Sequence, residues 1–319
     1  MALLSPLHMK LLRDLRRLWA QALAIALVMA SGVATLILGV GAYGSLSSTR
    51  AAYYEANRFG DVFASVTRAP RVLGSEIARI DGVLAVELRI ARLAVLDMPG
   101  MAEPGTMMLL SLPDAGRGAL NQLYLRTGHL PESHTTSEAV VSEGFAKAHD
   151  LRPGSRFSVL MNGQKRSVTV TGIALSPEYI YSLGPGDMMP DDRRFGVAWM
   201  PNDSLAAAYD LEGAFSSVVL KLMPGTSEAR VIEALDAMLA RYGGTGAAGR
   251  ADQLSHAFLD AELNQLKAMS RVLPPIFMVV AAFLVNMTLT RLVMFDREQI
   301  GLLTTIAYSP FAIARPYDE

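Results

Sequence analysis

The 319-residue chain contains no cysteine, so neither a disulfide framework nor a lipid-modified cysteine anchor is available to it. Its formal net charge is only -1, which argues against a nucleic-acid-binding surface. No lysine follows a glycine, and neither G-x-S-x-G nor H-E-x-x-H occurs, so the common phosphate-loop, hydrolase and zinc-protease motifs are missing. We therefore predict that the chain is not an enzyme, with no bound cofactor and no catalytic or metal site of its own.

Three local patterns imitate binding motifs, and each has a simpler interpretation. Gly39–Gly44 matches the G-x-G-x-x-G dinucleotide pattern, but it lies in an apolar run rather than in a strand–turn–helix unit. His129 and His134 could form a metal pair, although solvated loop histidines are the commoner case. The acidic loop 187–192 does not have the spacing of an EF-hand calcium loop. None of these patterns therefore predicts a ligand.

Two long uncharged runs are present, one from Leu18 to Thr49 and the other from Val272 to Thr290. A helix of about 20 apolar residues crosses a hydrocarbon core of roughly 30 Å. We therefore predict two transmembrane helices, at residues 18–44 and 271–293. The first run could instead be a cleaved secretory signal peptide, but signal peptides usually contain only about 7–15 apolar residues in their central region.

Basic residues set the predicted orientation of the chain. Four of them, at positions 10, 13, 16 and 17, precede the first run, and such positive segments remain in the cytoplasm. Residues 1–17 are then cytoplasmic, residues 45–270 form a periplasmic domain, and residues 294–319 return to the cytoplasm. These assignments predict a multi-pass protein of the bacterial inner membrane that is surrounded by membrane lipid.

The segment between the two runs mixes predicted strands and helices. Alternating apolar residues predict a strand at 61–68 and a strand-like stretch at 83–96, and Asn162-Gly163 predicts a tight hairpin. Helices are predicted at 226–242 and 252–271, and the second has the heptad-like leucine spacing of a stalk that packs against a neighbouring helix. The predicted fold class is α+β: two transmembrane α-helices flanking a mixed α/β periplasmic domain with a helical stalk.

Small and polar residues inside the apolar runs predict contacts between membrane helices. Four alanines recur at every fourth residue and would let another helix approach closely, although alanine is also common in membrane helices: Ala22, Ala26, Ala30 and Ala34. Asn286 is expected to face another helix or else to bond within its own. Pro274 and Pro275 remove two backbone donors and predict a kink or a break. The two spans are therefore expected to belong to a larger helix bundle.

The segment after the second run resembles a known family. Residues 297–309 read R-E-Q-I-G-L-L-T-T-I-A-Y-S and are similar to the cytoplasmic segment of MacB/FtsX-type ABC transporter permeases, which usually reads like E-I-G-L-L-K-A-L-G-Y-S. Residues 271–284 are similar to the second membrane helix of that family, and residues 141–173 to its periplasmic core domain. The resemblance covers residues 10–315.

The resemblance implies a permease subunit that conveys ATP-driven motion from a separate ATPase to a periplasmic domain, so that ATP is bound by the partner. By matching position, six residues would contact that ATPase: Arg297, Glu298, Ile300, Gly301, Leu302 and Leu303. Other permease helices, or a second permease copy, are further implied partners, and the implied cargo is a hydrophobic or amphiphilic compound. Since the family has two more helices beyond this point, the resemblance also implies that the coupling segment 294–319 is truncated.

Two other functions are compatible with the same order of segments along the chain. A two-span membrane-anchored periplasmic sensor or scaffold without transport activity would also place a folded domain between two helices. Such a receptor needs an output domain, however, and only about 25 residues follow the second span. A membrane-anchored exported enzyme is the third alternative, and it is disfavoured because the sequence contains no catalytic constellation.

Overall fold

The computed structural model describes residues 19–98, 101, 103–113, 118–133 and 135–295. These residues form two compact units. One unit joins the residues before Ser48 to those after Glu262, and the other comprises Ser48–Glu262.

Helices and strands alternate irregularly along the described residues. In chain order the helices are α1 (Trp19–Ala56), α2 (Leu73–Ile77), α3 (Glu143–Ala148), α4 (Asn202–Tyr209), α5 (Glu228–Leu239) and α6 (Leu254–Phe295). The strands are β1 (Val62–Pro70), β2 (Val83–Arg89), β3 (Ala91–Asp97), β4 (Gly105–Leu112), β5 (Tyr124–Gly128), β6 (Glu138–Ser142), β7 (Arg156–Met161), β8 (Gln164–Leu175), β9 (Phe195–Pro201), β10 (Ala214–Leu222) and β11 (Ala248–Gly249).

The first unit is a pair of apolar helices, α1 and α6, that pack together. Both are long and apolar enough to cross a membrane by length and composition. Glycines permit the contact: a Cβ atom on Gly39 would lie 2.6 Å from the Cβ of Ser270, and one on Gly32 would lie 2.9 Å from the Cβ of Phe277. Later positions of α1 thus meet earlier positions of α6, so the two helices run antiparallel with small residues at their interface.

Helix α6 continues through both of its prolines. Pro274 and Pro275 lie inside the helix, which is unbroken from Leu254 to Phe295. Of the two predicted alternatives, a kink or a break, the break is therefore excluded, and the kink stays a prediction. A proline cannot donate to the carbonyl four residues earlier, but the remaining bonds of a 42-residue helix are enough to keep it continuous.

A four-stranded antiparallel sheet forms one half of the second unit. Its strand order is β11-β1-β10-β2, with α2 connecting β1 to β2 and α5 connecting β10 to β11. This is the split β-α-β arrangement of ferredoxin-like folds. Helix α5 places Val231, Leu235 and Leu239 on one face, and all three are buried against the sheet because they recur at helical spacing.

A six-stranded barrel is inserted between β2 and β10. Its strand order is β8-β6-β9-β4-β3-β7, the pairing of β7 with β8 closes it, and β5 adds to the outer side of β8. The pairs β4–β9 and β6–β8 are parallel, and the other pairs are antiparallel. All six barrel strands contribute buried apolar side chains to one core. Gly196 leaves room there for Phe145 of α3, whose ring carbon would be 2.7 Å from an added Cβ.

The structure confirms one local prediction and corrects another. The hairpin is confirmed, since Asn162 and Gly163 have φ angles of 46° and 78° between paired strands β7 and β8. The strand-like stretch 83–96, in contrast, is two strands in two different sheets. The chain changes sheet at Ile90, whose N–H donates to Ser111 Oγ and whose carbonyl accepts the Ser111 N–H, each at 2.8 Å. Apolar alternation continues across this point and cannot reveal it.

Candidate functional site

The residues predicted to contact an ATPase, 297–303, lie outside the described part of the chain. The predicted alanine stripe lies on α1. The close contacts of α1 with α6 are at Gly32 and Gly39. Asn286 of α6 is exposed. Among the alanines, the first is half-buried and the others are exposed: Ala22, Ala26, Ala30 and Ala34. Packing of these residues against a further helix therefore stays a prediction.

Within the Ser48–Glu262 unit, the last turns of α1 meet the first turns of α6. We call residues 50–61 and 250–262 together the stalk junction. The Arg50 guanidinium is 2.9 Å from a carboxylate oxygen of Asp260. One turn nearer to the sheet, the Tyr54 hydroxyl lies 3.0 Å from Nδ1 of His256. The junction is thus held by polar contacts rather than by apolar packing alone.

Asp61 fixes the point where α1 passes into the four-stranded sheet. Its carboxylate accepts a hydrogen bond from the Arg250 guanidinium, lies 3.3 Å from Lys221 Nζ, and accepts the Leu222 N–H at 2.9 Å. Lys221 Nζ also donates to the Phe59 carbonyl at 2.8 Å. Two cations, Lys221 and Arg250, thus converge on the short segment that connects α1 to β1.

A buried ion pair joins the sheet to the barrel side of the unit. Both terminal nitrogens of Arg89 donate to the Glu178 carboxylate at 2.5 Å, and Arg89 Nε donates to Ser217 Oγ at 3.2 Å. The two charged side chains are 9% and 6% exposed. A bidentate pair with further hydrogen bonds is the geometry in which buried charges are tolerated.

Burial and charge shift the titration of the groups around this pair. Burial alone lowers the pKa of the Arg89 guanidinium, but the Glu178 charge outweighs it and the pKa lies above its ordinary value. Burial, and then the Glu178 charge, raise the pKa of the Tyr179 hydroxyl well above its usual range. Burial also raises the pKa of Glu87, against the opposing effect of the Leu120 N–H that its carboxylate accepts.

Hydrogen bonds connect this ion pair to both halves of the stalk junction. Asn121 donates through Nδ2 to the Glu178 carboxylate at 2.7 Å and accepts the Gly60 N–H at 2.8 Å. On the other side, Gln253 Nε2 donates to the Glu178 carbonyl at 2.7 Å. Glu178 is therefore linked to the segment after α1 through the side chain of Asn121, and it is bonded directly to Gln253 just before α6.

Tyr181 extends this connection along α6. Its N–H donates to Ser255 Oγ at 3.0 Å, and its hydroxyl donates to the Glu262 carboxylate at 2.5 Å. Its ring packs edge-on against Phe258 with a centroid distance of 4.9 Å. The segment after β8 is thus attached to successive turns of α6.

Acidic and histidine side chains do not gather into a metal site within the described residues. In the loop 187–192, Asp191 Oδ1 accepts the backbone N–H groups of Arg193 and Arg194 and so shapes a local turn. His129 Nδ1 lies 2.9 Å from the Leu130 carbonyl, while His134 is outside the described residues.

Sequence reasoning did not identify the residues of this connection. Arg89 and Glu178 are 89 positions apart, and Asp61 and Arg250 are 189 apart. The one local signal is that Glu87 and Arg89 are two residues apart in a strand and so share a face, which places two charges on the same side of an otherwise apolar strand. Their partners are brought together only by the fold.

The model of the MacB-like periplasmic core domain matches residues 22–238, which is more than half of the chain. The chain therefore belongs to the MacB-like periplasmic core domain family, which is part of the ABC transporter permeases and is typically non-catalytic itself. No curated protein matches the sequence.

The solved structures that are similar to the chain include a periplasmic region and an extracellular domain. The periplasmic region of MacB from Actinobacillus actinomycetemcomitans is 10% identical with a TM-score of 0.36, and the match covers 66% of this chain and 95% of that one. The extracellular domain of the noncanonic ABC-type transporter YknZ from Gram-positive bacteria is 11% identical with a TM-score of 0.36, and the match covers 60% of this chain and 98% of that one.

Proposed function

We propose that the chain is the transmembrane subunit of an ABC transporter of the MacB/FtsX type. In this proposal residues 18–44 and 271–293 span the bacterial inner membrane, and residues 45–270 lie in the periplasm. Residues 1–17 and 294–319 are cytoplasmic. Membership of the periplasmic core domain family and two candidate spans on either side of the domain support this arrangement.

The subunit transmits motion rather than performing chemistry. The observation that carries this proposal is the attachment of both helix ends to one buried centre, through Asn121 to the exit of α1 and through Gln253 to the start of α6. Packed and hydrogen-bonded groups of this kind can convey a displacement. Motion of the helices relative to each other would therefore act on Arg89 and Glu178, and through them on the sheet and the barrel.

A separate ATPase supplies the energy and binds the ATP. The proposed contact lies in the coupling segment, with an apolar side formed by Ile300 and Leu303 and a polar side that includes Gln299. An amphipathic helix of this kind can dock into a groove of a partner. The proposed cargo is a hydrophobic or amphiphilic compound that is exported, or extracted from the outer face of the membrane.

Substitutions in the coupling segment test this function. Ile300→Asp and Gly301→Asp should each reduce ATPase co-purification with the tagged chain at least tenfold, because a carboxylate in an apolar contact costs several kcal/mol. The measurement is quantitative mass spectrometry of material purified from host membranes. Gln299→Asp, which adds the same charge on the polar side, is the matched control and should retain the partner.

Equal recovery of the ATPase with both variants would contradict the coupling role. If the unsubstituted chain recovers no ATPase at all, a sensor or scaffold that works without transport becomes the better interpretation, and the permease proposal fails.

A further inference from the structure

A cavity of about 340 Å³ lies between β2, the outer face of the barrel and the segment 118–125. Its volume falls at the small end of the range for small-molecule sites. One wall is apolar and includes Leu112, Leu123 and Trp199. Trp199 is only 5% exposed and packs edge-on against Tyr179, so this wall is preformed rather than created by a ligand.

Another part of the lining carries charged residues. Both terminal nitrogens of Arg89 are directed at Glu178. Glu87 is a second carboxylate in this part of the lining, and it accepts the backbone N–H of Leu120 at 2.7 Å. The described residues that line the cavity therefore present two carboxylates against a single guanidinium. A lining that combines apolar side chains with a surplus of carboxylates favours a ligand with an apolar body and a positive head.

We propose that this cavity binds a small amphiphilic amine, with the apolar body against Leu123 and Trp199 and the ammonium group beside Glu87. Burial raises the pKa of Glu87, which means that its ionised form is poorly solvated at this position. A bound ammonium group supplies the missing counter-charge. The site goes beyond the proposed function, because binding requires neither the ATPase nor transport.

Intrinsic fluorescence of the full chain in lipid nanodiscs tests the site. The chain has two tryptophans, so Trp19→Phe leaves Trp199 as the single reporter inside the cavity. The probes are octylammonium, 1-octanol and octanoate, which share a chain length and differ in the charge of the head. We expect a saturable fluorescence change with octylammonium, at least tenfold weaker binding of octanol, and no saturable change with octanoate.

Substitutions at Glu87 separate the proposed pairing from partition into lipid. Glu87→Gln should weaken octylammonium binding at least tenfold and leave octanol binding unchanged. Glu87→Asp keeps the charge and should retain the preference for the amine, which guards against a variant that is merely misfolded. Glu76→Gln, an exposed carboxylate on α2, is the matched control and should behave like the unsubstituted protein.

Two results would overturn the site. One is a fluorescence change that rises linearly with each probe and is the same with glutamate or glutamine at position 87, as partition into the bilayer predicts. The other is equal saturable binding of octylammonium and octanoate, which would show that the cavity does not select for positive charge. Neither result depends on whether an ATPase contacts the coupling segment.

Discussion

Asp61 illustrates how much of the stalk junction depends on single charged residues. Its side chain is 20% exposed, contacts Lys221 and Arg250, and accepts the Leu222 N–H. Hydrogen bonds to charged groups are worth about 1.5–3 kcal/mol each in net stability. Since these contacts hold the segment that connects α1 to the sheet, their loss should be felt by the whole domain.

Asp61→Asn should therefore lower the free energy of unfolding by about 2 kcal/mol, because the amide keeps the shape but not the charge that Arg250 and Lys221 require. For a domain of this size that corresponds to a fall in Tm of roughly 4–8 °C. Thermal unfolding followed by circular dichroism measures it. Asp252→Asn, an exposed carboxylate in the same junction, should change Tm by less than about 1 °C. Equal shifts for the two variants would refute the role given to Asp61.

The charged residues of the site could not be assigned from the sequence. A sequence shows that Arg89 and Glu178 carry charge, but whether a charge is solvated or buried depends on strands that are distant along the chain. Asn121 gave no signal either, since its two bonds join the carboxylate of Glu178 to the backbone of Gly60. The sequence shows the type of each residue, but it does not show which residue is its partner when the two are far apart along the chain.

At the scale of secondary structure, an element could be predicted where a short local motif determines its conformation. Asn162-Gly163 predicts its hairpin because both turn residues need positive φ. The change of sheet at Ile90 was missed because alternation of apolar residues is the same on both sides of it. Strand β5 was also missed, since it lies at an edge and four of its five residues are exposed, which leaves no alternating pattern.

The packing of α1 against α6 makes a prediction at the scale of these helices. Gly39→Cys with Ser270→Cys should form a disulfide under mild oxidation in membranes, because the two Cβ positions are 2.6 Å apart and a separation of the helices by about 1 Å brings them to the roughly 3.5–4.5 Å that a disulfide has. Gly41→Cys with Ser270→Cys is the control, since an added Cβ at Gly41 has no atom within 4 Å.

The readout is labelling with a polyethylene-glycol maleimide, which is unambiguous because the chain has no other cysteine. The first pair should accept two labels only after reduction, whereas the control pair should accept two labels without it. Two labels on both pairs before reduction would contradict the antiparallel packing.

For the molecule as a whole, the fold class was correctly predicted: two long apolar helices flank a mixed α/β domain. The uncharged runs reveal the helices because length and apolarity are properties of a continuous segment. Closure of the barrel and the order of the four-stranded sheet could not be predicted. They depend on pairings such as Val62 with Leu220, which lie at opposite ends of the domain sequence.

The orientation of the chain makes a prediction that accessibility labelling can check. Met188 is 91% exposed in the loop between β8 and β9. A cysteine at position 188 should react with a membrane-impermeant maleimide in intact spheroplasts, because this loop belongs to the proposed periplasmic domain. A cysteine at position 304 in the coupling segment should react only after the membrane is permeabilised. The reverse pattern would invert the proposed topology and remove the basis for an ATPase contact.

The barrel leaves and rejoins the small sheet at neighbouring strands. Arg89 at the end of β2 faces Ser217 of β10, and adjacent strands are only about 5 Å apart. An insertion whose ends nearly coincide can be enlarged, shortened or exchanged without moving its host. The four-stranded sheet can therefore hold inserted domains of different size, and the barrel can change in evolution while the sheet that carries it stays the same.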